Sequence, residues 1–236
     1  MEKPILMRLE NVSKQYQMGE VVVDALKETS LDIYESELLV IVGPSGSGKS
    51  TLLNLVGGMD APTSGRIIFA GREISAAGEQ ELTMYRRKEI GFVFQFYNLI
   101  PDLTAAENVA LAAGLVDQPL PVDEALQEVG LLERSRHFPS QLSGGEQQRV
   151  SIARAVVKKP RFLLCDEPTG ALDYQTGKSI LGLLDRVKRE MGSTVIIVTH
   201  NTAIAEIAER VIRMRSGNIV EITTNRNPLP PERIEW

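Results

Sequence analysis

The stretch "LLVIVGPSGSGKST", Leu38 to Thr51, decides the fold of this chain because it joins a buried strand to a phosphate-binding loop. Consecutive apolar residues without polar alternation are typical of a strand that is covered on both faces, as in a parallel sheet. The residues that follow fit the pattern G-x-x-x-x-G-K-[ST] and lead into "LLNLVGG", which is typical of a helix. Strand, glycine-rich loop and helix, in this order, are the context that the phosphate-binding motif requires.

Each part of this loop suits the binding of phosphate oxygens. Its glycines allow successive N–H groups to turn inward, and the N-terminus of the following helix adds roughly half a positive charge. Lys49 can reach the β and γ phosphates of a nucleotide, and the hydroxyl of Ser50 suits Mg²⁺. The alternative, a glycine-rich turn that only caps a helix, rarely matches the pattern so completely. The predicted nucleotide-binding residues of the loop are Gly43, Pro44, Ser45, Gly46, Ser47, Gly48, Lys49, Ser50 and Thr51.

Two further apolar runs predict that the buried sheet continues. They are "FLLC" (Phe162 to Cys165) and "VIIV" (Val195 to Val198), and neither shows the alternation of a half-exposed strand. Between them, apolar residues recur at helical spacing, so strand and helix alternate as in an α/β fold. This helical stripe comprises Ile180, Leu184, Val187 and Met191.

The remaining segments predict two smaller layers beside the core. The first 35 residues and "SGRIIFAGREI" (64–74) are typical of antiparallel strands, whereas residues 100–158 have a mostly helical pattern with breaks at Pro101, 117–121 and Pro139. We therefore predict an α/β fold: a nucleotide-binding core with a mainly parallel sheet, a small β layer, and a helical subdomain over about 97–158. These form one domain, residues 1–225. The Pro-rich tail, residues 226–236, is predicted to be extended or poorly ordered.

The composition describes an ordinary globular protein without a general attraction for polyanions. Of 236 residues, 43% are apolar and 24% are charged, and the net charge is -5, so we expect no nucleic-acid partner. No stretch approaches about 18 consecutive apolar residues and the start lacks a signal-peptide pattern, which predicts a cytoplasmic chain. The single cysteine, Cys165, lies in an apolar run and is predicted to be a small core residue.

A pair of carboxylates follows the second buried run, in the sequence "CDEPTG". Asp166 and Glu167 therefore emerge at the edge where a parallel sheet presents its ligands. Asp166 suits the magnesium shell, and Glu167 suits the orientation or deprotonation of a water that attacks the γ-phosphate. A positioned general base is typically worth about 10²- to 10⁴-fold in rate. Alone, such a pair before proline would more often be a polar strand end with a turn.

Three isolated residues are further candidates for the site. His200 ends the third buried run, in "VTH", and its register predicts a sensor of the γ-phosphate. Gln95 follows the strand-like run "IGFVF", and its amide oxygen suits magnesium or the attacking water. Tyr16, in the N-terminal β region, is a candidate for stacking on adenine.

The sequence "LSGGE", residues 142–146, opens a predicted helix that runs from about Ser143 to Lys158. Ser143 and Glu146 match the S-x-x-E capping box. The box does not explain the two glycines, each of which costs a helix roughly 0.8 to 1 kcal/mol relative to alanine. Gly144 and Gly145 would let a polyanion approach the free N–H groups of this helix end. We predict that the segment faces the nucleotide held by a second copy of the chain, with two-fold symmetry.

With these motifs in order from Tyr16 to His200, the sequence resembles the ATP-binding subunits of ABC transporters. Within that family, "FQFYNLIPDLTAAENV" and "EPTGALD" look most like the lipoprotein-release and macrolide-export branch, called LolD-like or MacB-like. The resemblance makes residues 43–51 the Walker A loop, "LSGGEQQR" the signature, and Asp173 of "ALD" the D-loop residue at the dimer contact. It assigns catalysis to Lys49, Gln95, Glu167 and His200, magnesium to Ser50, Gln95 and Asp166, and ATP contacts outside the loop to Tyr16, Ser143, Gly144, Gly145 and Asp173.

The resemblance also implies a catalytic cycle and its partners. Two ATP molecules with Mg²⁺ are sandwiched between two subunits, and their hydrolysis reopens the dimer. A separate permease supplies the membrane path, so the subunit is expected to be peripheral on the inner face of the cell membrane, in contact with it only through the permease. The candidates for the docking groove are Phe96, Tyr97, Leu99, Ile100 and Leu103; alternatively, these residues simply pack the helical insertion.

Two rival functions remain open from the sequence alone. One is a soluble ABC-type ATPase that is not coupled to transport and works on DNA, ribosomes or iron-sulfur assembly. DNA-repair members of that kind carry long coiled-coil insertions and translation factors carry two cassettes, and neither fits 236 residues. The other is a P-loop kinase, which would leave "LSGGE" and His200 unexplained.

Overall fold

The computed structural model describes residues 3–235; Met1, Glu2 and Trp236 lie outside the described residues. The strands are β1 (Ile5–Met18), β2 (Val21–Tyr34), β3 (Leu38–Val42), β4 (Ser64–Phe69), β5 (Arg72–Glu73), β6 (Ile90–Phe94), β7 (Phe162–Asp166), β8 (Thr194–Thr199), β9 (Arg210–Arg215) and β10 (Asn218–Thr224). The α-helices are α1 (Lys49–Val56), α2 (Glu79–Glu89), α3 (Ala105–Ala113), α4 (Val122–Glu128), α5 (Gly144–Val156) and α6 (Tyr174–Met191).

The strands form two sheets of different kinds. The larger sheet has the order β10-β9-β3-β8-β7-β6, and all its strands run parallel except the edge strand β10, which pairs antiparallel with β9. The smaller sheet has the order β2-β1-β4-β5 and is antiparallel. The predicted α/β fold with a mainly parallel core and an antiparallel β layer is therefore confirmed.

Strand β3 shows why an unbroken apolar run was needed at this place. Leu38, Val40 and Val42 belong to the buried cluster shared with α3, α4, α5 and α6, whereas Leu39 and Ile41 belong to the cluster shared with α1 and the antiparallel sheet. Because successive side chains point to opposite faces, a strand covered on both faces has no place for a polar residue. The core thus lies in two layers, one on each face of the parallel sheet.

The helices of the second half begin and end where their capping residues lie. Ser143 caps α5, which ends at Val156, two residues before the predicted end. Asp173 caps α6 by accepting a hydrogen bond from the N–H of Thr176, and α6 stops at Gly192, which adopts the left-handed conformation. The predicted apolar stripe of α6 is confirmed, since Ile180, Leu184 and Val187 are buried and Met191 packs against them.

Cys165 is fully buried in β7, as predicted for a small core residue. Burial raises the pKa of its thiol well above the usual range, and the neighbouring Asp166 adds to this. The thiol of Cys165 is therefore both protonated and shielded from solvent in the folded chain.

The tail, residues 226–236, was predicted to be extended or poorly ordered, and poor order is wrong for its described part because this part packs on the domain. This segment forms a short 3₁₀ turn (Pro231–Arg233), and Ile234 is 0% exposed within the cluster that includes the apolar face of α6. The sequence pattern missed this packing because a Pro-rich segment has no periodicity and its partners are distant in the chain. Within residues 3–235, no helix is both long and apolar enough to span a membrane.

Candidate nucleotide-binding and catalytic site

The phosphate-binding loop connects the end of β3 to the start of α1. Its glycines Gly46 and Gly48 have φ angles of +75° and +98°, which lie in the region that side chains rarely adopt. At Gly48 an added Cβ would also lie 2.4 Å from the carbonyl oxygen of Ala25 in β2. The loop can therefore hold this shape only with glycine at position 48.

The polar groups of the loop are arranged for an anion. Lys49 is only 7% exposed, and its Nζ donates to the carbonyl oxygens of Gly43 (2.8 Å) and Pro44 (3.1 Å). Ser47 is 2% exposed, and its hydroxyl has no hydrogen-bond partner among the described residues. Buried polar groups almost always have a partner, so this hydroxyl and the ammonium group fit a bound phosphate.

Ser50 and Asp166 supply oxygen atoms at one place. The hydroxyl of Ser50, in the first turn of α1, donates to Oδ1 of Asp166 at the end of β7 (3.4 Å). Burial raises the pKa of Asp166, while the hydrogen bond from Ser50 opposes that rise. No cluster of three or more His, Cys, Asp or Glu side chains within residues 3–235 could hold a metal by itself. Mg²⁺ commonly takes one or two protein oxygens beside water and substrate phosphates, and these residues fit that requirement.

Glu167 and His200 are directly bonded, although the sequence predicted only separate roles for them. Oε1 of Glu167 accepts from the backbone N–H of His200 and lies 2.8 Å from its Nδ1, and Oε2 accepts from the hydroxyl of Thr199 (3.0 Å). Glu167 also has a φ of +49°, which is uncommon for a residue with a side chain. Unusual backbone conformations of this kind concentrate at functional sites. The carboxylate is thus held rigidly at the end of β8.

Gln95 lies beside the loop that follows Glu167. It directly follows β6, whose last residue Phe94 pairs with Asp166. A Cβ added at Gly170 would lie 2.9 Å from Nε2 of Gln95, so this glycine makes room for the amide. Gln95 therefore lies at the edge of the sheet that carries the carboxylates, and its role toward magnesium or water stays a prediction.

The start of α5 has the predicted capping box. The hydroxyl of Ser143 accepts from the N–H of Glu146, and Oε2 of Glu146 accepts from the N–H of Ser143. The two glycines also have neighbours within the chain: a Cβ at Gly145 would lie 2.3 Å from Cγ2 of Thr176, and one at Gly144 would lie 2.8 Å from the hydroxyl of Tyr97. Close packing thus gives a second reason for small residues here. Within the described residues, no hydrogen bond joins 143–145 to 43–51.

Tyr16 lies in β1 and is half-buried beside the loop. Its hydroxyl donates to Oδ2 of Asp60 (2.7 Å), and Nζ of Lys14 lies 4.9 Å from the centroid of its ring. Burial, together with the hydrogen bond to Asp60, raises the pKa of this hydroxyl, and nearby Thr51 acts in the opposite direction. The tyrosine is therefore next to the last residue of the predicted loop.

Two residues of the site were missed by the sequence analysis. The hydroxyl of Thr199 donates a hydrogen bond to Oε2 of Glu167. The signal for this contact in the sequence was a hydroxyl residue directly before His200. Gln148 is fully buried on α5 and donates to the carbonyl oxygen of Pro168, which links the helix of the signature to the carboxylate segment. A glutamine on the buried face of a helix was its only signal.

A phosphate-binding loop, a carboxylate pair and a capped Ser-Gly-Gly helix end, on a core of this topology, define an ATP-binding cassette. The profile of one family, described as ABC transporter, matches residues 26–170. This chain belongs to the ABC transporter family as an ATP-binding domain, and the family implies ATPase activity.

Curated relatives carry matching descriptions, and the first two below are covered over nearly their whole length. An uncharacterized ABC transporter ATP-binding protein of Thermotoga maritima is 47% identical over 219 residues, which cover 91% of this chain and 93% of the relative. The lipoprotein-releasing system ATP-binding protein LolD of Geobacter metallireducens is 46% identical over 91% of this chain and 98% of the relative. The macrolide export ATP-binding/permease protein MacB of Brucella melitensis is 46% identical over 96% of this chain but only 36% of the relative.

Solved structures agree with the fold. The dimeric structure of a post-hydrolysis state of the ATP-binding cassette MJ0796, bound to ADP and Pi, has a TM-score of 0.86 and 43% identity, covering 94% of this chain and 99% of that chain. The structure of cbiO1 from Clostridium perfringens, part of the transporter complex cbiONQ, has a TM-score of 0.81 and 30% identity, covering 93% and 88%.

Proposed function

We propose that two copies of this chain close head to tail around two ATP molecules, and that closure and hydrolysis drive a separate membrane permease. The observation that supports this most directly is the meeting of the phosphate loop, Asp166 and the Glu167–His200 pair at one edge of the parallel sheet. This is the edge where open α/β sheets bind their ligands. The relatives named LolD and MacB favour a role in lipoprotein release or macrolide-type export, and the position on the inner face of the cell membrane follows from attachment to the permease.

Within one chain, the proposed roles follow from the contacts. The N–H groups of the loop and the ammonium of Lys49 bind the phosphates, and Ser50, Asp166 and Gln95 would hold the cation. Mg²⁺, when bound, neutralises developing charge on the phosphoryl oxygens. Glu167 accepts a hydrogen bond or a proton from the attacking water. His200 positions the carboxylate of Glu167 through its backbone N–H and its Nδ1. Preorganised groups of this kind stabilise the transition state without reorganisation during the reaction.

The second half of each site is proposed to come from the partner copy. Ser143, Gly144 and Gly145 lie at a helix N-terminus, which favours a negative ligand. Asp173 caps α6 beside them and is proposed to lie at the dimer contact. The MJ0796 cassette, 43% identical, is dimeric with ADP and Pi bound, which supports the same arrangement here.

We expect the ring of Tyr16, and not its hydroxyl, to contribute to ATP binding. Tyr16→Ala should raise the KM for ATP about tenfold, because stacking of a base on an aromatic ring is worth about 1–3 kcal/mol. Tyr16→Phe is the matched control: it removes only the hydrogen bond to Asp60 and should leave the KM within about twofold. Equal effects of the two variants would contradict the stacking role.

Coupling to a permease is tested by co-purification. The predicted contact set divides in the structure: Phe96 is 74% exposed and Ile100 is 43% exposed, whereas Leu99 packs against the core and the hydroxyl of Tyr97 lies beside Gly144. We therefore propose Phe96 and Ile100 as the permease contacts.

An affinity-tagged chain should retain an integral membrane protein in detergent extracts of its own host, and Phe96→Asp should lose it. Met59→Asp changes another exposed apolar residue and is the matched control. If the wild-type chain has normal ATPase activity but retains no membrane protein, the result would favour the soluble ABC-type ATPase instead.

A further inference from the structure

The tail segment, which we define as residues 225–234, is held against the rest of the domain by hydrogen bonds of its main-chain groups. Three hydrogen bonds along its length use its own backbone, so they do not depend on the identity of its side chains. They join Asn225 N to Glu209 O (2.8 Å), Leu229 N to Glu206 O (2.9 Å), and the hydroxyl of Tyr174 to Ile234 O (2.9 Å).

Apolar burial reinforces the end of this segment. Ile234 is 0% exposed and belongs to the same buried cluster as Ile180 and Leu181 of α6, and Pro231 is also buried. A fully buried isoleucine ranks among the larger stabilising contributions that one side chain makes. The tail segment is thus a packed part of the domain, held against α6.

The body residues that hold the tail segment lie next to proposed site residues. Tyr174 directly follows Asp173, the N-cap of α6 and the proposed dimer contact. Glu206 belongs to the 3₁₀ helix Thr202–Ile207, which begins two residues after His200. The tail segment therefore spans from the start of α6 to the segment that follows His200.

We propose that the tail segment positions the start of α6, and with it Asp173, relative to the segment after His200, so that the ATP-bound dimer can close. Ile234 and Tyr174 are its positioning residues. Supporting groups of this kind fix the geometry of an interface before binding and so lower the cost of ordering it. This inference rests on the proposed ATP-driven dimer.

The test uses the hydrolysis-deficient Glu167→Gln chain, in which ATP binding and dimer formation are measured separately. Adding Ile234→Ala should weaken the MgATP-dependent dimer about tenfold by analytical ultracentrifugation, within the range of about 5- to 150-fold typical of coupled sites. Binding of a fluorescent ATP analogue below the dimerisation concentration should stay within about twofold, because the phosphate loop is not touched.

A control separates positioning from general loss of stability. Ile67→Ala removes the same atoms from a site that is 1% exposed in the other buried cluster, between the antiparallel sheet and α1. It should leave the dimer affinity of the Glu167→Gln chain within about twofold. Equal weakening by Ile67→Ala and Ile234→Ala would overturn the proposal in favour of a global effect.

A milder variant keeps the proposal testable if Ile234→Ala fails to fold. Tyr174→Phe removes the hydroxyl that donates to the carbonyl of Ile234 and accepts from Nζ of Lys178, and should weaken the dimer about threefold to tenfold, in the range of lost hydrogen bonds. Unchanged dimer affinity in the folded variants overturns the positioning role alone. A Glu167→Gln chain that binds ATP and never dimerises overturns the proposed dimer, and this inference with it.

Discussion

Glu167→Gln is expected to keep ATP binding and to lose about 10²- to 10⁴-fold in the rate of ATP hydrolysis, the usual contribution of a positioned general base. The amide keeps the shape of the side chain and can still accept from the N–H of His200, but it cannot take a proton from water. Because the nucleotide then remains as ATP, the variant should elute as a dimer with MgATP on size exclusion. Steady-state phosphate release measures the loss.

Glu221→Gln provides the control for this substitution. Glu221 lies on the edge strand β10 in an exposed ion pair with Arg213, far from the carboxylate pair in the sheet order. Its activity should stay within about twofold of the wild type, as for most surface substitutions. If Glu167→Gln instead hydrolyses ATP normally and stays monomeric with it, both the base and the sandwich are wrong.

The parts of the fold that were predictable are those with a local pattern. The runs at Leu38–Val42 and Val195–Val198 could be assigned because a strand covered on both faces excludes polar residues. Asp166 and His200 could be placed at one edge because parallel strands end on the same side of a sheet. The local sequence pattern therefore predicted that Asp166 and His200 lie at the same edge of the sheet.

The contacts between those groups were not predictable, because they depend on distances across the fold. Glu167, which accepts the hydrogen bonds from His200, has a left-handed backbone, for which the sequence carries no signal such as glycine. The packing of Ile234 on the α6 cluster likewise joins residues with no shared periodicity. Such tertiary contacts join residues that are distant in the chain, so local sequence patterns do not predict them.

The glycines of "LSGGE" were partly predictable. The sequence showed that they need an explanation beyond helix capping, but it did not show their packing. From the sequence, the capping box and a close approach by phosphate were the two available explanations of these glycines. The structure adds packing within the chain, since Gly145 lies against Thr176 of α6. Packing and phosphate binding are compatible, because the N–H groups at a helix start remain free when the Cα side is covered. Only a functional experiment distinguishes their contributions.

Mixing two inactive variants is expected to restore activity if the signature of one chain acts on ATP held by the other. Lys49→Ala removes the only side-chain cation of the phosphate loop, and Ser143→Arg places a bulky side chain in the closing interface. A heterodimer carries both defects in one site and none in the other. With random pairing and independent sites, about a quarter of the wild-type activity should return. ATPase assays of each variant and of the mixture measure it.

Two controls decide how this mixture is interpreted. Ser143→Ala loses the hydrogen bond to the N–H of Glu146 and the proposed phosphate contact of the hydroxyl without adding bulk, so it should lose less activity than Ser143→Arg, and the difference measures the effect of bulk. Crosslinking at high ATP must show that heterodimers form. If they form and the mixture stays inactive, each signature acts within its own chain or the two sites cannot work independently. In either case the proposed role of Gly144 and Gly145 in independent composite sites would fail, whereas their packing against Tyr97 and Thr176 would stand.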